Sequence, residues 1–509
     1  MKHIKYILLS AVVLGFTACN DVEDVLEANG ETTETTMLPE LNAGDLDFSN
    51  YIAVGPSFSA GVTDGSLFLA GQENSWPNII SKEFAKAGGG EFRQPTMSDN
   101  YGGLSVGGAR INDVGLRLVF NGAGPAPLES VIGSVTVATD LLDNPEGPFN
   151  NLGVPGAKSF HFVAPGYGNL ANLEAGLANP YATRLTGSTP NASIIELAVS
   201  QNPSFFTLSL FGGNDVLGYA TGGANQEAGA ITPLATFEGA LSIALTALTA
   251  NGAQGVVSGI PYVTDLPHFT TVPYNSIPLD ADTATAVNGG YAAYNGGIQA
   301  ALAALTGTGL FTAEEAEKRT IEFAAGQNAV VIIDEDLTDL GAINPAFAAL
   351  PKYRQATAED LLVLSSASFL GTLADPTNPF SINGVVVPLA DKWVVTETEL
   401  VEIISVTDAM NASVEAAAQS FGIAYVNLQA ILTQASTGGI VFDNYTLDTK
   451  LVTGGLVGLD GVHLTARGYA YMANSFLLAI DNHYGSNFVA SGNVAKAGDY
   501  PTNYSPLLQ

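Results

Sequence analysis

The sequence predicts an α/β fold, with a parallel sheet covered by helices on both faces. Two observations carry that expectation. Short apolar runs that stop at glycine recur along the chain, and stretches of helical period lie between them. Strands alternating with helices pair in parallel, because each crossover helix must cover a face of the sheet. With 509 residues there is enough chain for a sizeable core, as one large elaborated domain or two.

The first nineteen residues are set apart from the fold. Lys2 and Lys5 form a basic start, Ile7 to Phe16 is an apolar stretch too short for a permanent span, and Phe16-Thr17-Ala18-Cys19 is a small-residue cleavage site. This resembles a bacterial lipoprotein signal, which implies that Cys19 is the lipidated N-terminus. Cys19 is the only cysteine, so no disulfide and no thiol chemistry are expected. Residues 20–46 are acidic, threonine-rich and aperiodic, which predicts a solvated tether. Acidic residues just after the cysteine are similar to the surface-export signal of lipoproteins of the Bacteroidetes type, so an outer membrane lipoprotein of the cell envelope is expected. No later stretch reads as a membrane span. Against 49 Asp and Glu stand 17 Lys and Arg, a net charge of −32. Such a surface repels nucleic acid and anionic headgroups, and neither is expected as a partner.

Tyr51 to Val54 reads as a buried strand ended by Gly55 and Pro56, with Ser57 at the turn. A strand that delivers a serine where a helix begins exposes a hydroxyl in fixed orientation, beside free backbone N–H groups. Asn74 to Lys86 has helical spacing, residues 87–110 are glycine-rich and irregular, and Leu116 to Phe120 fits a strand. Asn150 to Ala157 is a second glycine turn. Residues 205–211 form a β-type run ending at Gly212-Gly213-Asn214-Asp215. Pro233 to Asn251 is a helix, and Gly255 to Ile260 a strand. Residues 263–395 mix helix-like pieces (291–305, 313–326) with short strands (330–333, 385–387) and are expected to be an insertion or lid. The pattern resumes with a helix over 396–421, a strand over 423–428 and a closing helix from Leu464 to about His483.

Asp460-Gly461-Val462-His463 precedes that last helix. A spacing of three brings a carboxylate within reach of an imidazole on one local turn, as a general base requires. The chain has five histidines, at 3, 161, 268, 463 and 483; His3 lies in the signal, and His161 and His483 lack an acid at such a spacing.

Four pieces stand in the order of the SGNH/GDSL hydrolase family, which the chain resembles: Gly55-Pro56-Ser57-Phe58-Ser59, Gly153-Val154-Pro155-Gly156, Gly212-Gly213-Asn214-Asp215 and Asp460-Gly461-Val462-His463-Leu464. The resemblance covers the strand-and-turn framework and not the insertions. It implies a flavodoxin-like three-layer α/β/α core over 47–509. It also implies Ser57 as nucleophile, His463 as general base and acid, and Asp460 as the residue that orients His463. The oxyanion hole would comprise the backbone N–H of Ser57, the backbone N–H of Gly156 and the side-chain amide of Asn214, with Asp215 bracing its turn. No cofactor is required, and the substrates implied are acyl or acetyl esters of lipid or carbohydrate, small or polymer-borne. The chain departs from the family at Pro56, where Asp is usual. Proline removes one N–H and a bracing side chain while keeping an extended entry to the turn. The departure leaves a catalytically weak or inactive surface lipoprotein, binding glycan or a partner protein, as the alternative.

Gly103-Leu104-Ser105-Val106-Gly107 matches a nucleophile elbow on paper, but that motif needs a strand before it and a helix after it. Here a loop precedes Ser105, and Gly107-Gly108 would break a helix. Gly166 to Ala171 similarly imitates a dinucleotide turn with no strand leading in. No Cys/His cluster points to a metal.

Overall fold

The computed structural model describes residues 38–224 and 229–508. Cys19, the signal-like stretch 1–19 and the tether up to residue 37 lie outside the described residues. The compact unit Leu41–Val489 with Asn493–Gln509 carries the sheet. It begins inside the stretch expected as tether, and Leu46 is already buried in the main core.

Five strands form one parallel sheet: β1 (Tyr51–Gly55), β2 (Asn151–Gly153), β3 (Phe205–Leu208), β4 (Gln254–Ser258) and β5 (Ala424–Val426). Their spatial order is β5-β4-β3-β1-β2. All residues of β1, β2 and β3 are buried, which is why these runs lack polar alternation. Helices α1 (Trp76–Lys86) and α8 (Ala466–Tyr484) pack against each other. A second group, α2 (Ile194–Ser200), α4 (Leu234–Thr249) and α6 (Glu397–Phe421), packs likewise, an arrangement compatible with three α/β/α layers. Between these lie α3 (Gly213–Thr221), α5 (Ala281–Leu305) and α7 (Leu428–Thr437).

The order 2-1-3-4-5 has its switch point between β1 and β3, where the connections leave in opposite directions. Open parallel sheets place their ligand crevice there, beyond the carboxyl ends of the strands. Val54 pairs with Leu208 and Gly55 with Gly153, so the ends of β1, β2 and β3 are level at that rim.

Several expectations change. The stretch 150–157 contributes the edge strand β2 as well as its turn. Leu118–Phe120 pairs with Pro125–Pro127 in a separate hairpin instead of joining the sheet. Helix α5 begins ten residues before 291, capped by Asp280, whereas the helix expected over 313–326 stops at Lys318. Val385–Val387 forms a tight turn and not a strand, its three N–H groups converging on the Ile382 carbonyl. Residues 272–394 build two apolar clusters separate from the main core, one around Val331, Ile332 and Val385, the other around Ile298 and Leu340. A buried Arg354, held between Asp334 and Asp360, ties this region together.

Candidate active site

At the end of β1 the chain passes through Pro56 into a four-residue helix, Ser57–Ala60. Gly55 is required by close packing, since a Cβ there would collide with Ser59 Oγ and the Ser209 carbonyl. Gly153 serves the same purpose opposite, where a Cβ would strike the Ala60 nitrogen. The flanking strands brace the turn. Ser209 Oγ meets Ser59 Oγ at 2.7 Å, and Asn151 Nδ2 donates to the Ser59 carbonyl at 2.8 Å. The Pro56 carbonyl accepts from Ser59 and Ala60. The turn therefore holds without a bracing side chain at position 56.

His463 comes from the other end of the chain, in the turn before α8. Its Nε2 lies 2.8 Å from Ser57 Oγ, and its Nδ1 lies 2.7 Å from Asp460 Oδ2. Asp460 Oδ1 accepts the backbone N–H groups of Val462 and His463, both at 2.9 Å, and Oδ2 also accepts the Gly65 N–H at 2.7 Å. Burial alone would raise the Asp460 carboxyl. The His463 charge and ring N–H, with the two backbone donors, outweigh it and hold the group below the ordinary carboxylate range. Gly461 sits at φ 72, and a Cβ there would press on the His268 backbone.

Gly156 has φ 78 and opens, with Ser57, Asn214 and His463, onto one cavity of about 610 Å³. Asn214 stands on the first turn of α3, and its amide donates one hydrogen to the Ala157 carbonyl at 2.9 Å, fixing the side chain. Asp215, fully buried, accepts the Ser159 N–H at 2.8 Å and its hydroxyl at 2.7 Å. That brace locks the start of α3 to the loop carrying Gly156. Hence the structure brings together Ser57, Asp460 and His463 in one relay, and sets Gly156 and Asn214 beside it.

Residues that sequence reasoning passed over complete the site. Asp64, buried at φ 52, accepts the Leu459 N–H at 2.8 Å, while its neighbour Gly65 binds Asp460. Burial is the main reason the Asp64 carboxyl is pushed up to about 7; the Asp460 charge adds to it, and the Leu459 N–H and Arg117 oppose it. Asp-Gly is a turn signal, and that was the one clue available. His268 donates its backbone N–H to the Gly461 carbonyl at 3.0 Å.

The competing features lie elsewhere. Ser105 is on a two-residue strand that turns back at Gly107-Gly108, with no helix behind it, and its hydroxyl donates to Asp140 at 2.9 Å. His161 stacks on Tyr167, and burial, with Lys158 nearby, lowers it to about 4. His483 binds the Gly422 carbonyl. Among the described residues the carboxylates that could share an ion are Glu335, Asp391 and Glu399. Glu399 serves the capping box of α6, and burial, with Glu335 beside it, pushes it up to about 8.

Such a site can deprotonate a hydroxyl and present N–H donors where negative charge would develop on a carbonyl oxygen. Compared with known proteins, the chain matches no family model, no curated protein and no solved structure.

Proposed function

We propose that the protein is a serine ester hydrolase of SGNH/GDSL type, built on a flavodoxin-like core with large insertions. The observation that carries the reading is the continuous relay from Ser57 Oγ through His463 to Asp460, at 2.8 Å and 2.7 Å, on the crevice rim of a parallel sheet. Ser57 Oγ attacks the ester carbonyl while His463 Nε2 takes its proton. Asp460 holds the Nδ1 tautomer and stabilises the imidazolium that forms. The Ser57 and Gly156 N–H groups and the Asn214 amide receive the oxyanion. Collapse expels the alcohol, protonated by His463. Water, deprotonated in turn by His463, then releases the acid from the acyl-enzyme.

Acyl or acetyl esters of lipid or carbohydrate are the substrates of this reading, with no cofactor. Anchoring at Cys19 to the outer membrane, as a lipoprotein of the cell envelope, belongs to the same proposal and rests on the sequence around that residue. The test compares wild type with Ser57→Ala on a short-chain aryl ester. Loss of at least ~10⁴-fold in kcat is expected from removing the nucleophile of such a relay. No turnover by wild type leaves a non-catalytic binding protein on this scaffold, and equal turnover by the variant refutes Ser57 as the nucleophile.

A further inference from the structure

Two cavities meet at Ser57, and they differ in kind. One is the open cavity bordered by His463 and Gly156, with Gly65, Ser66, Asp113 and Asn179 among its polar lining. The other, of about 80 Å³, is bordered by Ser57, Phe58 and Asn214, and its accessible wall is almost all carbon: Leu210 and Ile260 just past the ends of β3 and β4, Leu432 from α7, Met472 from α8. Asn214 and Ser57 border both, whereas His463 lines the larger cavity and is absent from the wall of the apolar one.

We propose that this apolar cavity binds the acyl chain of the ester, so that the substrates carry an acyl group longer than acetyl; this rests on the hydrolase reading above. The argument is chemical. The group that leaves must receive its proton from His463 Nε2, so the alcohol lies on the His463 side, in the open polar cavity. The acyl carbon is bonded to Ser57 Oγ in the intermediate, and its substituent points away from the leaving group. The space in that direction is the apolar cavity. Along α8 its wall extends from Gly468 to Ser475. At 1.5 Å per residue this span is about 10 Å, far more than an acetyl methyl fills. A wall that exposes so little polar surface cannot satisfy the several hydroxyls of a sugar, and unpaired polar groups are costly there. The polar alcohol moiety, whether glycerol or sugar, is left to the open side.

Aryl esters of acetate, butanoate, octanoate and hexadecanoate separate the possibilities. Each buried methylene favours binding about fourfold, so kcat/KM for octanoate is expected to exceed that for acetate by ~100-fold or more. Ser475→Phe, which adds a ring to the α8 side of the cavity wall, should lower the octanoate-to-acetate ratio at least tenfold. Leu432→Ala, which widens the wall, should move the optimum to longer chains. Equilibrium binding of decanoate to Ser57→Ala, followed by calorimetry, reads the cavity without catalysis. Binding there that Ser475→Phe or Leu432→Ala alters supports the assignment even if no ester is turned over, in which case only the hydrolase reading fails. Acetate as the best ester, with no decanoate bound by Ser57→Ala, overturns the acyl assignment and leaves the hydrolase reading standing.

Discussion

Replacing Asp460 by Asn tests the relay where it is most constrained. The wild-type carboxylate accepts four hydrogen bonds: His463 Nδ1 and Gly65 N at Oδ2, Val462 N and His463 N at Oδ1. An amide has one accepting oxygen and one donating nitrogen, so it can meet one pair of donors or the other. With the oxygen kept on the Val462 and His463 amides, the NH₂ faces Gly65 N–H and a ring nitrogen that must now accept. His463 then carries its proton on Nε2, pointed at Ser57 Oγ, in the tautomer that cannot take a proton from serine. That loss is worth ~10⁴ in kcat. With the amide flipped, the ring keeps its partner, but two backbone donors of the turn face an NH₂, at roughly 1–3 kcal/mol for each buried group left unpaired. The variant should therefore lose activity by about four orders of magnitude, or lose stability by several kcal/mol. Measuring kcat/KM on a short ester alongside the thermal midpoint distinguishes the two. A variant within tenfold of wild type in activity and with an unchanged midpoint refutes the assigned role of Asp460.

Asn214→Ala removes one oxyanion donor and should lower kcat by ~10²–10³ with little change in KM; an unaltered kcat would exclude the amide from that role. Gly153→Ala places a methyl against the Ala60 nitrogen, with backbone on both sides, so both the thermal midpoint and the activity should fall. Wild-type activity in that variant would show that the Ser57 turn is not fixed by this contact. Asp64 supplies a pH signature. Its folded value, about 7 against an ordinary 3.8, means the unfolded chain releases this proton first as pH rises. The group's contribution to stability is intact below about pH 4 and is lost progressively up to about pH 7, by as much as ~4 kcal/mol. Asn at position 64 can still accept the Leu459 N–H. Asp64→Asn should thus gain stability relative to wild type between pH 4 and 7 in denaturant titrations, and a difference that does not vary with pH contradicts the protonated state.

The readable parts of the sequence are those where local chemistry and tertiary role agree. Helix α6 has its capping box at Thr396 and Glu399 and a left-handed Gly422 at its end, and was expected within a residue of where it lies. Strands β1 and β3 are continuous apolar runs because both faces are covered. Strand β2 is Asn-Leu-Gly, with no intrinsic β preference. It is extended because Asn151 bonds the Ser57 turn and Gln94, contacts of 92 and 57 residues' separation. The shortened helix after 313 has a similar cause. Asn288 and Asn295 on α5 each bond both backbone groups of Phe323 and Ile321, holding that segment extended. In the site, the Asp460–His463 pair was visible by type and spacing, and Ser57, Gly156 and Asn214 through the resemblance of their turns to a known family. Asp64 and Gly65 were not, because one works by accepting a single backbone N–H and the other through its own.

Those two residues also explain how a relay can join positions 406 residues apart. Parts of the intervening chain, such as the segments that build the two satellite clusters within residues 272–394, could vary in length at small thermodynamic cost, since closure entropy grows only as the logarithm of loop length. What must not vary is the last step of alignment. Three hydrogen bonds set it: Asp64 to Leu459, Gly65 to Asp460, and the Tyr469 hydroxyl to the Val62 carbonyl. Each links the eight residues after Ser57 to the segment carrying His463. The Ser57 turn and the His463 turn are thus aligned by one short loop that both halves of the chain clasp, while the satellite clusters within residues 272–394 take no part in those three bonds.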